Sequence, residues 1–218
     1  LHVFKAVRKK WVHISLAAWI IACAAVLWPL WTYANRAGAQ GYLPAGWTPP
    51  PEFDPPVDRA MLLMFAHPKC PCTRATMSAL ERLQCDEPGT FATRVVFYEP
   101  IDADPSWRQT DLWARAGRLV DARTIADPGG SITASAGAVI SGCTALIDQD
   151  GALLFWGGIT PSRGHEGESV GLTALRSILR GHEPGCHRSP VYGCEIVGSS
   201  KHPSGCCDRG GCDASGDV

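Results

Sequence analysis

Neither sign of charge predominates in this sequence: 20 Lys and Arg stand against 21 Asp and Glu, a formal net charge of −1. No nucleic-acid partner is therefore expected, because such a partner requires a basic surplus. Charge is missing altogether from Trp11 to Tyr33, a run of 23 residues without one Asp, Glu, Lys or Arg. As a helix this run would be about 34 Å long at ~1.5 Å per residue, enough to cross a hydrocarbon core of about 30 Å. Its length argues against a cleaved signal peptide, whose apolar region covers about 7 to 15 residues, although Ala37-Gly38-Ala39 offers a small-residue cleavage pattern. Lys5, Arg8, Lys9 and Lys10 precede the run, and Trp11, Trp28, Trp31 and Tyr33 lie toward its ends. Basic residues favour the cytoplasmic side and amphipathic rings the interface. The expectation is a single-pass anchor over residues 1–34, with everything after it outside the cytoplasm.

Periodicity is lacking from residues 35–58, where Pro44, Pro49, Pro50, Pro51, Pro55 and Pro56 stand among glycines. That composition predicts a stiff, extended tether. What the chain has in quantity is cysteine, ten in 218 residues, a number that points to an oxidising compartment or to thiol and metal chemistry. The 45% hydrophobic content suits one globular domain with a real core, expected over 59–182, followed by a Cys-rich, partly disordered extension over 183–218.

The domain is organised around Met61-Leu62-Leu63-Met64-Phe65-Ala66-His67-Pro68-Lys69-Cys70-Pro71-Cys72-Thr73. Six apolar residues ended by turn chemistry predict a strand buried on both faces, and the residues after Thr73 predict a helix. Cys70 and Cys72 thus fall where strand hands over to helix. Unpaired N–H groups and the helix dipole stabilise a thiolate there, with Lys69 adding positive charge. Thr93–Tyr98 reads as a second strand, parallel to the first across the intervening helix. Ser106 is placed to cap a further helix with Leu112, Trp113, Ala116, Leu119 and Val120 on its apolar face. Two strands, 145–148 and 152–156, meet at Asp150-Gly151 as an antiparallel hairpin, and a last helix over 170–180 ends at Gly181.

This order, together with His67-Pro68-Lys69-Cys70-Pro71-Cys72-Thr73, Ser141-Gly142, Gly157-Gly158-Ile159-Thr160, Ser162-Arg163-Gly164-His165-Glu166-Gly167 and Pro190-Val191-Tyr192-Gly193-Cys194, resembles the thioredoxin-like superfamily. The nearest resemblance is to membrane-tethered bacterial thiol proteins of a small group labelled RedB-like. It implies an α/β, three-layer fold with a central mixed sheet and a terminal antiparallel hairpin, in a domain on the periplasmic side of a bacterial inner membrane. The resemblance fixes fold better than function; from the residues themselves the expectation is thiol-disulfide exchange with extracytoplasmic protein thiols or disulfides, Cys70 attacking and Cys72 resolving, without a cofactor.

Two departures from thioredoxin matter. The dithiol is Cys-Pro-Cys, and a bridge across Pro71 alone closes a small, easily strained ring, which makes a disulfide more oxidising. Where thioredoxins carry a cis-proline facing the dithiol, this chain has Gly142-Cys143-Thr144, so Cys143 offers a third thiol within reach or else a small buried hydrophobe. Three sulfurs, Cys70, Cys72 and Cys143, would suit Cu(I) or Zn, and a metal-binding or delivery module is the main alternative. A non-catalytic interaction domain is a further one. A peroxidase is disfavoured because His67 stands where peroxiredoxins place a threonine.

His67 is positioned to tune Cys70 or to move protons, or simply to pair with backbone. Arg163 and His165 lie in a glycine-flanked loop that either covers the dithiol or only orders the chain. Cys23 and Cys85 read as inert. In the extension, Cys186, Cys194, Cys206, Cys207 and Cys212 match no standard zinc spacing; one reading pairs Cys186 with Cys194 and leaves 198–218 disordered, and the other is a stapled or metal-loaded element.

Overall fold

A computed structural model describes residues 2–39 and 41–196; Cys206, Cys207, Cys212 and the expected disorder of the last twenty residues lie outside that range. The chain divides into two compact units, 1–36 and 37–218. The first is one helix, α1 (His2–Asn35). Its stretch Trp11–Asn35 has a mean hydropathy of 2.0 and is long and apolar enough to cross a membrane.

The second unit contains β1 (Ala60–Ala66), α2 (Pro71–Asp86), β2 (Phe91–Glu99), α3 (Asp111–Ala116), β3 (Ala122–Pro128), α4 (Ser131–Ser135), β4 (Cys143–Ile147), β5 (Leu153–Gly158), α5 (Val170–Leu179) and β6 (Arg188–Ser189). The strands form one mixed sheet in the order β3-β2-β1-β4-β5-β6. β1, β2 and β3 are parallel, whereas β4 runs antiparallel to both β1 and β5. The hairpin turn is made by Asp148, whose Oδ1 accepts from the N–H groups of Asp150 and Ala152, and by Gly151 at φ 84°.

The unbroken apolar run of β1 follows from its central place in the sheet. Successive side chains point to opposite faces, so Leu62, Met64 and Ala66 join one cluster with Met77, Leu80, Leu83, Leu172 and Leu175 from α2 and α5. Leu63 and Phe65 join the other, with Phe53, Val96, Ile140 and Trp156. Both faces are covered, and Met61–Ala66 is buried throughout.

Three expectations change. The helix expected from Ser106 is divided: a 3-10 turn, Pro105–Arg108, is capped by Asp104, and α3 is capped by Thr110, whose hydroxyl accepts from the Trp113 N–H. Gly117 follows α3 at once, leaving Val120 72% exposed. Two strands went unforeseen, β3, which carries polar residues on a sheet edge, and the two-residue β6.

The stretch expected to be a stiff, extended tether is instead anchored to the domain core at several of its described residues. Phe53 is completely buried, with Leu43 and Trp47 against the same cluster. Among the described residues the proline-rich backbone bonds within itself only at short turns, Trp47 N–H to Pro44 O, Phe53 N–H to Pro50 O and Asp54 N–H to Pro51 O, and the core supplies further donors to it. Trp156 Nε1 donates to Gly41 O at 2.7 Å, and the buried Arg94 guanidinium donates to Phe53 O and, at 2.7 Å, to Asp54 O.

Candidate functional site

Cys70 is the N-cap residue of α2, with extended backbone, and Pro71 is the first helical residue, where a missing N–H costs nothing. The turn before it is closed by the Cys70 N–H donating to His67 O. A chain of hydroxyls fixes that turn. The His67 N–H donates to Ser141 Oγ (3.1 Å), Ser141 Oγ lies 2.6 Å from Thr73 Oγ1, and Thr73 Oγ1 donates back to His67 O (3.0 Å). Thr73 and Ser141 are fully buried, so each bond is shielded from water and costly to lose.

Ser141 is also where the C-terminal segment attaches. Its N–H donates to Cys194 O (2.8 Å), and the Ile196 N–H donates to Val139 O (2.9 Å). The approach is so close that a Cβ on Gly193 would collide with the Ser141 carbonyl. Arg163 donates to Gly193 O. By this route Cys194 reaches the dithiol: the ligating atoms of Cys70, Cys72 and Cys194 all lie within 4.8 Å of one another.

The three sulfurs differ in acidity. Cys70 is brought down to about 4, first by hydrogen bonding from the Cys72 thiol and then by the N–H groups of Thr73 and Cys72 in the opening turn, with the Cys194 thiol adding to them; desolvation opposes the shift. Neither N–H closes a strict cap hydrogen bond, so their influence is that of oriented dipoles. The proton stays on Cys72, which is pushed up chiefly by its hydrogen bond to Cys70 and further by burial, although the Gly164 N–H acts in the opposite sense. Cys194 is also raised, by desolvation and then by the negative charge of Cys70, with Arg163 countering.

The other expected participants fall in different places. Lys69 holds its ammonium 4.2 Å over the Trp107 ring, and the strongest influences on Cys70 are the thiols and helical N–H groups rather than this charge. His67 is stacked on Tyr98 and edge-on to Trp107. Its Nδ1 accepts from the Lys69 N–H at 3.2 Å, and burial lowers its pKa, partly offset by Cys70. The loop bearing Arg163 and Gly164 does border the dithiol, but His165 faces solvent with Nδ1 2.8 Å from Arg163 O.

Cys143 requires correction. It is 2% exposed on β4, opposite Phe65, in the cluster with Ile140, Ala145 and Trp156, and burial raises its pKa. It does not belong to the sulfur triangle. β-strand alternation sends it into the apolar layer, and the residue before it, Gly142, takes φ 91° with Thr76 Oγ1 only 2.7 Å from where a Cβ would stand. The pairing of Cys186 with Cys194 also fails. Cys186 is disulfide-bonded, whereas Cys194 is a free thiol. Nor is the dithiol openly presented: Cys70 is 5% and Cys72 4% exposed, and access to Cys70 is from a groove lined by Pro68, Lys69, Arg74, Thr110 and Asp111.

Cys194 was the participant missed. Its signal was the small apolar group Val191, Tyr192 and Ile196 in an otherwise polar extension, all three of which are buried.

A dithiol turn between a central parallel strand and its helix, a parallel neighbour on one side, and an antiparallel hairpin on the other leading to a helix that packs back on α2 define one architecture. The fold is thioredoxin-like. Two solved structures share the arrangement over most of their length. A hypothetical protein from Sinorhizobium meliloti 1021 is similar at 23% identity and a TM-score of 0.52, over 77% of this chain and 95% of that one. An uncharacterized conserved protein from Geobacillus kaustophilus is similar at 20% identity and a TM-score of 0.55, over 78% and 94%. The exposed lipoprotein thioredoxin of Streptococcus pneumoniae aligns at 15% identity over 57% of this chain and 86% of that one, with a TM-score of 0.42 that carries no argument. No protein-family model matches the chain, and no curated relative does.

Proposed function

We propose that the protein is a membrane-anchored thiol-disulfide oxidoreductase of the RedB-like kind, in which Cys70 attacks and Cys72 resolves. The observation that carries this reading is the unequal sharing of one proton between two adjacent sulfurs at the start of α2: Cys70 is a thiolate at neutral pH and Cys72 is its protonated donor. In the reductive direction, Cys70 S⁻ attacks a substrate disulfide, forming a mixed disulfide and expelling a substrate thiolate. That thiolate takes the Cys72 proton, and the Cys72 thiolate so formed attacks Cys70 Sγ. The second substrate sulfur leaves as a thiolate and takes its proton from solvent; the substrate has gained two electrons, and the Cys70–Cys72 disulfide is the protein oxidised by the same two. The oxidative direction is the reverse. A bridge over one residue favours disulfide donation.

Substrates on this reading are extracytoplasmic protein thiols or disulfides entering along the groove beside Arg74 and Asp111. The anchor, with Lys5, Arg8, Lys9 and Lys10 before it, supports a single-pass protein of a bacterial inner membrane with this domain in the periplasm. The test is to offer a peptide disulfide to the Cys72→Ser protein. A covalent adduct at Cys70, released by reductant and missing from Cys70→Ser, is expected. Absence of any adduct would reject exchange and favour an interaction domain.

A further inference from the structure

We infer that Cys70, Cys72 and Cys194 together form a trigonal site for a soft monovalent cation, Cu(I). The inference goes beyond thiol exchange and does not require it. An exchanging dithiol needs two sulfurs in contact, yet here a third is delivered from more than 120 residues away and all three ligating atoms lie within 4.8 Å of one another. With metal–sulfur bonds of about 2.3 Å, a planar three-sulfur site has its sulfurs about 4 Å apart. A triangle whose sides are all within 4.8 Å accommodates that spacing with little adjustment.

The donor set selects the metal. Thiolates favour Cu(I), and Zn prefers four ligands; among the described residues the convergent group stops at three sulfurs, with no carboxylate or imidazole in it. The two nearby histidines are otherwise engaged. His67 Nδ1 accepts from the Lys69 N–H, with its ring stacked on Tyr98 and edge-on to Trp107, and His165 faces solvent. Without a carboxylate, the site also has nothing to offer a hard cation such as Mg or Ca.

The sulfurs are held by independent supports. Cys70 and Cys72 ride on the first turn of α2, and Cys194 is fixed by the Ser141 N–H on its carbonyl and by the close contact that Gly193 permits. Cys70 and Cys72 are buried and Cys194 is solvent-accessible, so an ion enters from the Cys194 side, and Arg163, bonded to Gly193 O, places positive charge beside the thiolates. Loading releases the protons of Cys72 and Cys194 to solvent and oxidises no sulfur. A bound ion occupies the Cys70 lone pair, so a loaded protein does not exchange disulfides.

The test uses the reduced full chain in detergent, titrated anaerobically with Cu(I) against a chromogenic Cu(I) chelator, with copper X-ray absorption on the loaded protein. One ion held by three sulfurs at a single distance is expected. Cys194→Ser and Cys194→Ala should weaken binding by roughly 100-fold or more, beyond what loss of an outer-shell contact does, whereas Cys143→Ser and Cys85→Ser should not. Two-sulfur coordination in the unaltered chain, or Cys194 variants that bind as tightly as it does, would overturn the inference. Peptide trapping by Cys72→Ser needs no copper, so the two readings fail separately.

Discussion

The stem of the site, residues 60–86, and the segments that flank the domain, 37–58 and 183–196, reach the same place by opposite means. The stem is a strand and a helix whose side chains alternate and recur as their geometry dictates, and its cysteines sit at the junction. The flanking segments have almost no regular structure of their own and are held by bonds to residues distant in sequence, such as Gly38 N–H to Val191 O and Ser141 N–H to Cys194 O. The stem presents the acidic sulfur of Cys70, and the flanks decide what surrounds it. Cys143 and Cys194 state the difference in one residue type: regular structure buries the first, and an irregular strap carries the second to the sulfurs.

That contrast is open to attack at several points, beginning with the largest effect. If residues 37–58 are part of the core, Phe53→Ala should lower unfolding stability by about 3–5 kcal/mol, the usual cost of emptying a buried aromatic site. Val57→Ala, at a residue 93% exposed, should change it by no more than about 0.5 kcal/mol. Chemical denaturation of both variants decides; equal, small losses would restore the extended tether.

Ser141 belongs to both sides of the comparison, its hydroxyl on the stem and its N–H on the strap. Ser141→Ala should cost about 1–3 kcal/mol by leaving the His67 N–H and Thr73 hydroxyl without their buried partner, measured by the same denaturation. Gly142→Ala should cost a similar or smaller amount, about 1–3 kcal/mol, because its left-handed backbone and the neighbouring Thr76 hydroxyl leave no room for a methyl group.

Gly193→Ala acts on the strap alone. Lifting the backbone from Ser141 should speed alkylation of Cys194 while leaving the pH dependence at Cys70 set by Cys72 and the helical N–H groups, as mass spectrometry of each site will report. An unaltered Cys194 rate would mean that the strap is not held where Gly193 meets Ser141.

How far the sequence disclosed this arrangement follows the same division. β1, the dithiol turn, α2 and the hairpin were legible because an apolar run, a turn and Asp-Gly are local signals. The packing of Phe53 and the arrival of Cys194 were not, because each depends on contacts across at least forty residues and leaves no period in the chain. Gly142 and Cys143 show the remaining difficulty. Opposite the dithiol, one residue of register decides whether a side chain faces the site or the core.

The most direct test of the account is the rate of alkylation at Cys70 as a function of pH, read by mass spectrometry of the full chain. A thiolate poised at the head of α2 should react at a constant rate through the neutral range, falling only as the pH descends to about 4. A rate that climbs roughly tenfold per pH unit through neutrality, as for an unassisted thiol with a pKa of about 8.5, would contradict it.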